Sequence, residues 1–421
     1  MPSTILTSQV IANELLMRFQ NKLGFSSSIK HAYDKRFATS NGNYGKPGDT
    51  VSVRAALKLA ATKGAAITPQ DVEYRKVDIK IDQQAVVPWQ FNLADLTLKL
   101  DDFSRQNDLD SAAQALANLV DCDGLTMAYQ ATFNTLGTPG TTPTAIKTYQ
   151  QASAWLSKMG APIGGNDRFV VYNPDMEVEI VNVLLPLQES APEIRWQYEK
   201  GRMRSALGLN WLIDQNIRTH VTGSMAGTPT VVSYSNSGTG AQARAALATT
   251  AWPAATAGVL KKGDTIQIVG RYAVNPVTGD TLGDLKSWVV SADVTTVGSG
   301  VCTIYLTEPI EPIGPYKNVS SAPVLGDLIR CYGVVAPHTT VLSKSSPQAL
   351  VYDRRAFALA MVPMVQPADA AFKAVARDPE TGMSLRIWSA SDIMTDMMIT
   401  RVDALYGWAS LIPEWSCRVL G

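Results

Sequence analysis

The sequence predicts an α+β fold with an all-β unit inserted into it. Three observations carry this reading. Helical periods and strand alternations succeed one another from residue 7 to about 220. From about 221 to 340 the chain is Gly, Thr, Ser, Val and Pro with recurrent turn signals and no helical period. After about 340 the mixed texture returns, so the β unit interrupts a domain.

The 421 residues contain 37 Lys+Arg and 37 Asp+Glu, for a net charge of zero, and 46% of them are hydrophobic. That composition is globular, and the length suits about two or three domains. Zero net charge gives no global pull toward nucleic acid or a membrane surface. No apolar run reaches the roughly 20 residues that span a bilayer, and the start lacks the basic and apolar regions of a signal peptide. The 4 cysteines are far apart and offer neither a disulfide framework nor a metal knuckle, which suits reduced thiols. The histidines, His31, His220 and His338, have no partner at metal-ligand spacing and are expected in loops or on the surface.

The elements follow in order. Residues 7–22 repeat Ile11, Leu15 and Phe19 on one face, an amphipathic helix with Thr7 or Ser8 as cap. A polar, Gly/Ser/Asn-rich stretch follows and reads as an extended arm. Pro47-Gly48-Asp49 turns into a strand through Val51 and Val53, and residues 72–81 alternate again. These strands flank the small-residue segment 55–69. They predict a long hairpin with no core of its own, which must find a partner surface. Residues 105–133 form the longest helix, with Leu109, Ala113, Leu116, Val120 and Met127 on its stripe, Asp121 off it, and Gly124 as a weak point. Thr142 as cap and Pro143 at the first turn open a second helix ended by Gly160 and Pro162. "RFVVYNPDMEVEIVNVLLPL" reads as strand, Asn173 cap and third helix, and "SALGLNWLID" as a strand. Runs such as "TPTVVSYS", "DTIQIVG" and "VCTIYLT" then predict a small barrel or sandwich of five or six strands. In the closing stretch Leu411, Pro413, Trp415, Cys417 and Val419 share a face, and Ser410, Glu414, Ser416 and Arg418 mark the other. This is a half-buried strand with Pro413 at an edge or bulge.

Chemical motifs are sparse. Gly238–Ala243 matches G-x-G-x-x-A after a strand, with Asp264 downstream. The segment beyond is all β, however, so a flexible loop competes with a nucleotide site. Asp121-Cys122-Asp123-Gly124 looks like part of a calcium loop but lies in a helix without the closing Glu. Short basic clusters occur in the arm, at Arg202 and Arg204, and at Arg354 and Arg355. None is interleaved with the aromatics of a nucleic-acid platform. No catalytic constellation, cofactor or metal site is expected. A multi-armed shape with surfaces it cannot bury itself points to a closed assembly of copies.

At these residues the chain resembles a known family. "KKGDTIQIVG", followed by "VNPVTG" and "VVSADVTT", resembles the inserted β-barrel of short-tailed-phage coat proteins. "LGLNWLIDQNIRTHVTG" and "DRRAFALAMVPM" resemble the segments that flank it, "KPGDTVSVR" the opening of the extended loop, and "RVDALYGWASLIPEWSCRVLG" the closing strand of tailed-phage major capsid proteins. The resemblance implies the capsid fold shared by tailed phages and herpesviruses. The N-terminal arm would be 1–40, the extended loop 41–90, and the peripheral domain with its spine helix 91–136. The axial domain would be 137–221 and 340–395, the barrel 222–339, and 396–421 would return to the peripheral domain.

It also implies a non-enzymatic major capsid protein that forms pentamers and hexamers of an icosahedral shell around double-stranded DNA. Its partners would be further copies, a separate scaffolding protein, a portal and weakly held DNA, with no membrane and no cofactor. Assembly would take place in the host bacterial cytoplasm, and the product would be the virion capsid. Arg18 and Lys22 are the expected scaffold contacts. Lys46, Arg54, Lys58, Lys63, Arg354 and Arg355 are further expected assembly residues. The competing readings are a nucleotide-binding enzyme at Gly238–Ala243 and a binding or decoration protein built on the β domain. Neutrality suits a shell that must pack DNA without gripping its phosphates.

Overall fold

The computed structural model describes residues 8–31, 50–54, 76–92, 102–163, 166–184, 205–237, 244–332, 343–367, 370, 372–392 and 394–421. The elements run in chain order. α1 (Ser8–Lys22) is followed by β1 (Thr50–Arg54), β2 (Lys76–Lys80) and β3 (Gln83–Asn92), then by α2 (Asp102–Ala131). β4 (Thr135–Gly137), α3 (Ile146–Lys158), β5 (Arg168–Tyr172), α4 (Pro174–Leu184), β6 (Ser205–Ala206), β7 (Leu209–Ile213) and β8 (Thr219–Val221) come next. The inserted strands are β9 (Thr230–Ser237), β10 (Arg244–Thr250), β11 (Thr265–Val274), β12 (Thr281–Val289), β13 (Cys302–Tyr305) and β14 (Ile329–Cys331). β15 (Ser345–Asp353), β16 (Phe357–Met361), β17 (Phe372–Arg377), β18 (Ser384–Asp392), β19 (Met397–Ser410) and β20 (Ser416–Leu420) complete the chain.

The chain divides into two compact units. Unit one takes Met1–Val53, Asp78–Leu125 and Phe357–Ala409; unit two takes Arg54–Val77, Thr126–Ala356 and Ser410–Gly421. In unit one β19 is flanked by β18 and β3, and β16 and β17 extend the sheet. The β3 ladder runs from the pair Met397–Asn92 to the pair Tyr406–Gln83. α1 lies on β17 and β18, burying Ala12, Leu15, Leu16 and Phe19. The i, i+4 spacing of Leu15 and Phe19 puts them on one stripe. In unit two β4, β20, β15, β5, β7 and β6 form one sheet with β8 on β15. α3 packs on β15 and β20, and Tyr149, Ala152 and Leu156 share a core with Val170, Tyr172, Trp211, Val351 and Cys417.

The insertion is a six-stranded barrel. β13, β10 and β9 form one three-stranded sheet, and β12, β11 and β14 the other. The isolated bridges Thr230–Leu328 and Val290–Leu306 join their edges, β9 to the lead-in of β14 and the end of β12 to the end of β13. Its interior is apolar, with Trp288, Ile266, Ile268, Leu247, Ile304 and Leu306 fully buried.

Several expectations are corrected. The second helix starts at Ile146 with Ala145 as its cap residue, not at Thr142. Pro143 fixes φ as well for the extended lead-in as for a first helical turn. "SALGLNWLID" is a tight hairpin rather than one strand, because Leu207 (φ 59) and Gly208 (φ 73) turn it. The segment 340–395 does not stay with 137–221. From Phe357 it belongs to unit one, the switch falling at the Arg354–Arg355 turn, where composition does not change. The closing stretch is not one half-buried strand. β19 stays in unit one, Pro413 opens a 3-10 turn, and β20 is buried on both faces. β20 lies between β4, parallel, and β15, antiparallel, so it completes the unit-two sheet and pairs with no strand of unit one among the described residues.

Candidate assembly surfaces and the junctions that position them

Two buried junctions, one in each unit, hold the elements that carry the residues expected to meet other copies. In unit one, α2 carries the junction. Asp121 is buried and accepts hydrogen bonds from the backbone N–H of Gly24 (2.8 Å) and Ser26 (2.9 Å) and from the Ser26 hydroxyl. It fixes the chain just after α1. Asp123 accepts from the Tyr406 hydroxyl at 2.6 Å, and burial, reinforced by that carboxylate, holds the phenol protonated. Gly124 is not a weak point. Its Cα faces the Trp408 indole so closely that a methyl group would stand 2.6 Å from Cη2 and 2.8 Å from Cε2. The other side of that indole stacks on Phe25 at 5.6 Å. The Asp-Cys-Asp-Gly run is therefore a structural socket, and Asp121, expected off the apolar stripe, is buried because it caps the arm's backbone.

Arg18 and Lys22 sit on the part-buried flank of α1. Lys22 Nζ lies 2.9 Å and Arg18 Nη1 3.7 Å from Asp110 of α2, and Arg18 also bonds Glu14. Arg54 ends β1. Lys46, Lys58 and Lys63 lie outside the described residues. Arg354 and Arg355 occupy the turn between β15 and β16. Arg355 forks onto Asp353 (2.9 and 3.1 Å) and lies 5.3 Å from the Trp415 ring, while Arg354 stays exposed. Among the described residues the structure brings together Arg18 with Lys22 around Asp110, and Arg354 with Arg355 in one turn.

In unit two the barrel is fastened at its KKGD turn. Asp264, almost fully buried, accepts from the backbone N–H of Lys261 (2.7 Å) and Gly223 (3.0 Å) and contacts His220 Nε2 (2.7 Å). His220, expected in a loop or on the surface, is thus a buried partner of that carboxylate. Arg418 of β20 donates to the Gly263 carbonyl (2.9 Å) and to the Thr265 hydroxyl. Burial pushes its guanidinium down to about 10, against the opposing pull of Asp264. Lys286 of β12 lies 3.3 Å from the centroid of the Phe133 ring and pairs with Glu308 at 2.9 Å. The lead-in and return strands are tied to each other by Thr222 and Lys344. Alternation on β20 gave Arg418 a solvent face, and no local signal marks it as buried. The acidic residue that a dinucleotide site would need is committed to this junction, and Gly238–Ala243 itself lies outside the described residues.

Unit one holds a second buried carboxylate. Asp403 is flanked by Arg386 and Arg401 and accepts from Trp388 Nε1 at 3.1 Å. Among the described residues no group of three or more His, Cys, Asp or Glu is placed to hold a metal ion. Nor is any helix among them long and apolar enough to cross a membrane.

The profile of the family described as "P22 coat protein - gene protein 5" matches residues 70–420. No curated protein matches the chain by sequence. Similar solved structures include one from Mycobacterium phage Che8, at 12% identity and a TM-score of 0.48, covering 94% of this chain and 90% of that one. The capsid of cyanophage P-SCSP1u is similar at 11% identity and a TM-score of 0.43, covering 88% and 83%. A virus-like particle from Pyrococcus furiosus is similar at 6% identity and a TM-score of 0.42, covering 97% of both chains.

Proposed function

The chain belongs to the P22 coat protein family and is a major capsid protein of a tailed phage, and from that premise we propose that it builds its icosahedral shell as pentamers and hexamers on a separate scaffolding protein. The family match over 70–420 carries this reading. The subunit's role is structural, its copies assemble with one another, and its place is the virion capsid. Scaffold-directed assembly in the host cytoplasm, a portal at one vertex and weak contact with packaged DNA complete the proposal. No catalytic role is assigned.

The domain reading follows, amended by the observed topology. The arm, the extended loop and the sheet of β3 and β16–β19 form the peripheral part with the spine helix. The sheet from β4 to β8, β15 and β20 forms the axial part, and the barrel stands on its KKGD turn. Arg18 and Lys22 remain the scaffold contacts proposed, and the other six basic residues further assembly residues. Coexpression with the phage's scaffolding protein and negative-stain microscopy tests the reading. Closed shells or capsomer-sized rings are expected; a small monodisperse species under every condition would sink it. Deleting 55–69, which lies outside the described residues, is expected to leave a folded subunit that no longer closes shells.

A further inference from the structure

The β3 strand is laddered onto β19 until the pair Gln83–Tyr406. The chain preceding it, Lys80 to Asp82, then crosses directly over the next residue of β19, Gly407. A methyl group on Gly407 would collide with the carbonyl oxygen of Lys80 and stand 2.7 Å from its carbonyl carbon and 3.0 Å from Ile81 Cα. Gly407 is not in the left-handed region, so the position needs glycine for room alone, as where one backbone must approach another.

The seat under this crossing cannot recede. On one side of Gly407, the Tyr406 hydroxyl is held by Asp123, and on the other, Trp408 is pressed against Gly124. Beyond the crossing, β2 pairs only with β1 among the described residues. A two-stranded ribbon has little stability of its own. Ile79 of β2 is fully buried and Val53 of β1 nearly so, so the ribbon's direction is set at its foot, where the crossing on Gly407 lies.

We propose that Gly407 is a positioning residue for shell geometry: it sets the angle at which β2, and β1 paired to it, leaves the sheet of β19 and β3. The inference rests on the capsid reading above. A displacement at the crossing moves β1 and β2, the strands from which the segment expected to meet neighbouring copies continues. The barrel, the unit-two sheet and the α1 contacts are left alone.

The test is Gly407→Ala in the full chain, coexpressed with scaffold. It is compared with the unsubstituted protein by thermal unfolding of assembly-naive subunits and by particle diameter in negative stain. The capsid reading fails if the unsubstituted chain gives no shells. If it gives them, the positioning role predicts a folded Gly407→Ala subunit whose shells of normal diameter fall several-fold, in favour of open sheets, tubes or other diameters. A folded variant giving normal shells in normal yield overturns it. Should Gly407→Ala fail to fold, Tyr406→Phe decides. It frees the seat from Asp123 without adding volume. A broadened diameter distribution supports the role, and an unchanged one overturns it.

Discussion

One short stretch, from Tyr406 to Arg418, serves both units by opposite means. In unit one, Gly407 and Trp408 work by shape: backbone meets backbone, an indole fills the space above a helical glycine, and there is no room for a methyl group. In unit two, Arg418 works by charge and hydrogen bonding in a junction that also buries Asp264, His220 and Lys286. Shape joints should fail by added volume and charge joints by a lost partner. The barrel already has an apolar core. What the charged junction adds is a set of hydrogen bonds from the KKGD turn to β20 and to the lead-in at His220 and Gly223.

The largest effect is expected from Asp264→Ala. It leaves the buried N–H of Gly223, the part-buried N–H of Lys261 and the His220 ring without their acceptor, and removes the carboxylate that offsets Arg418. Breaking a buried pair by removing one partner costs about 3–5 kcal/mol. Urea unfolding followed by tryptophan fluorescence measures it. A loss below about 1 kcal/mol, the scale of a single ordinary hydrogen bond, would break the contrast between the two joints.

Next comes Gly124→Ala. In a helix that change ordinarily stabilises by about 1 kcal/mol. Here the Trp408 ring occupies the space, so a loss of about 1–3 kcal/mol from overpacking is expected. The sign is the diagnostic. Adding Trp408→Phe should recover part of the loss, because the smaller ring gives the methyl group room. A stabilised single variant in thermal unfolding would refute the shape reading.

Alkaline pH probes unit two again. Burial holds the thiols of Cys331 and Cys417 protonated, well above the usual range, whereas in the unfolded chain they ionise near about pH 8.5. Groups raised in the folded state give stability that is complete below the unfolded value and lost as pH rises above it. Each thiol should cost about 1.4 kcal/mol per pH unit beyond that point. Arg418 opposes this only above its depressed value of about 10. Cys331→Ala and Cys417→Ala should each flatten the fall in urea stability between about pH 8.5 and 10; an unchanged slope would contradict the assignment.

The contrast also explains what could be read in the sequence. Period carried α1 and α4, and turn chemistry carried the barrel strands, because local spacing fixes local structure. Asp121, His220 and Arg418 were misread because burial of a polar residue is decided by a partner far along the chain. Gly124 looked like a defect because a glycine is seen in sequence without the indole that faces it. The switch of sheets at Arg354–Arg355 leaves no compositional mark, since strands on either side are equally apolar. Of the proposed assembly residues, the structure gives Arg18, Lys22 and Arg355 intramolecular partners. A list of basic residues could not have supplied that.

The smallest effect on the subunit should come from Arg18→Ala combined with Lys22→Ala. Both side chains meet Asp110 while partly exposed, at 27% and 25%. Such pairs are worth about 0–1 kcal/mol, screened by salt. The melting temperature should therefore hardly move, and less so at high salt. If the two cations also meet an acidic surface of the scaffold, shell yield in coexpression should drop while the subunit stays folded. Asp110→Ala is the control: it removes both pairs to Asp110, keeps the Arg18–Glu14 pair within α1, and leaves both cations in place. Normal yield from Asp110→Ala with loss from the double variant places the cations in assembly. Equal yields from both would reduce them to a brace between α1 and α2.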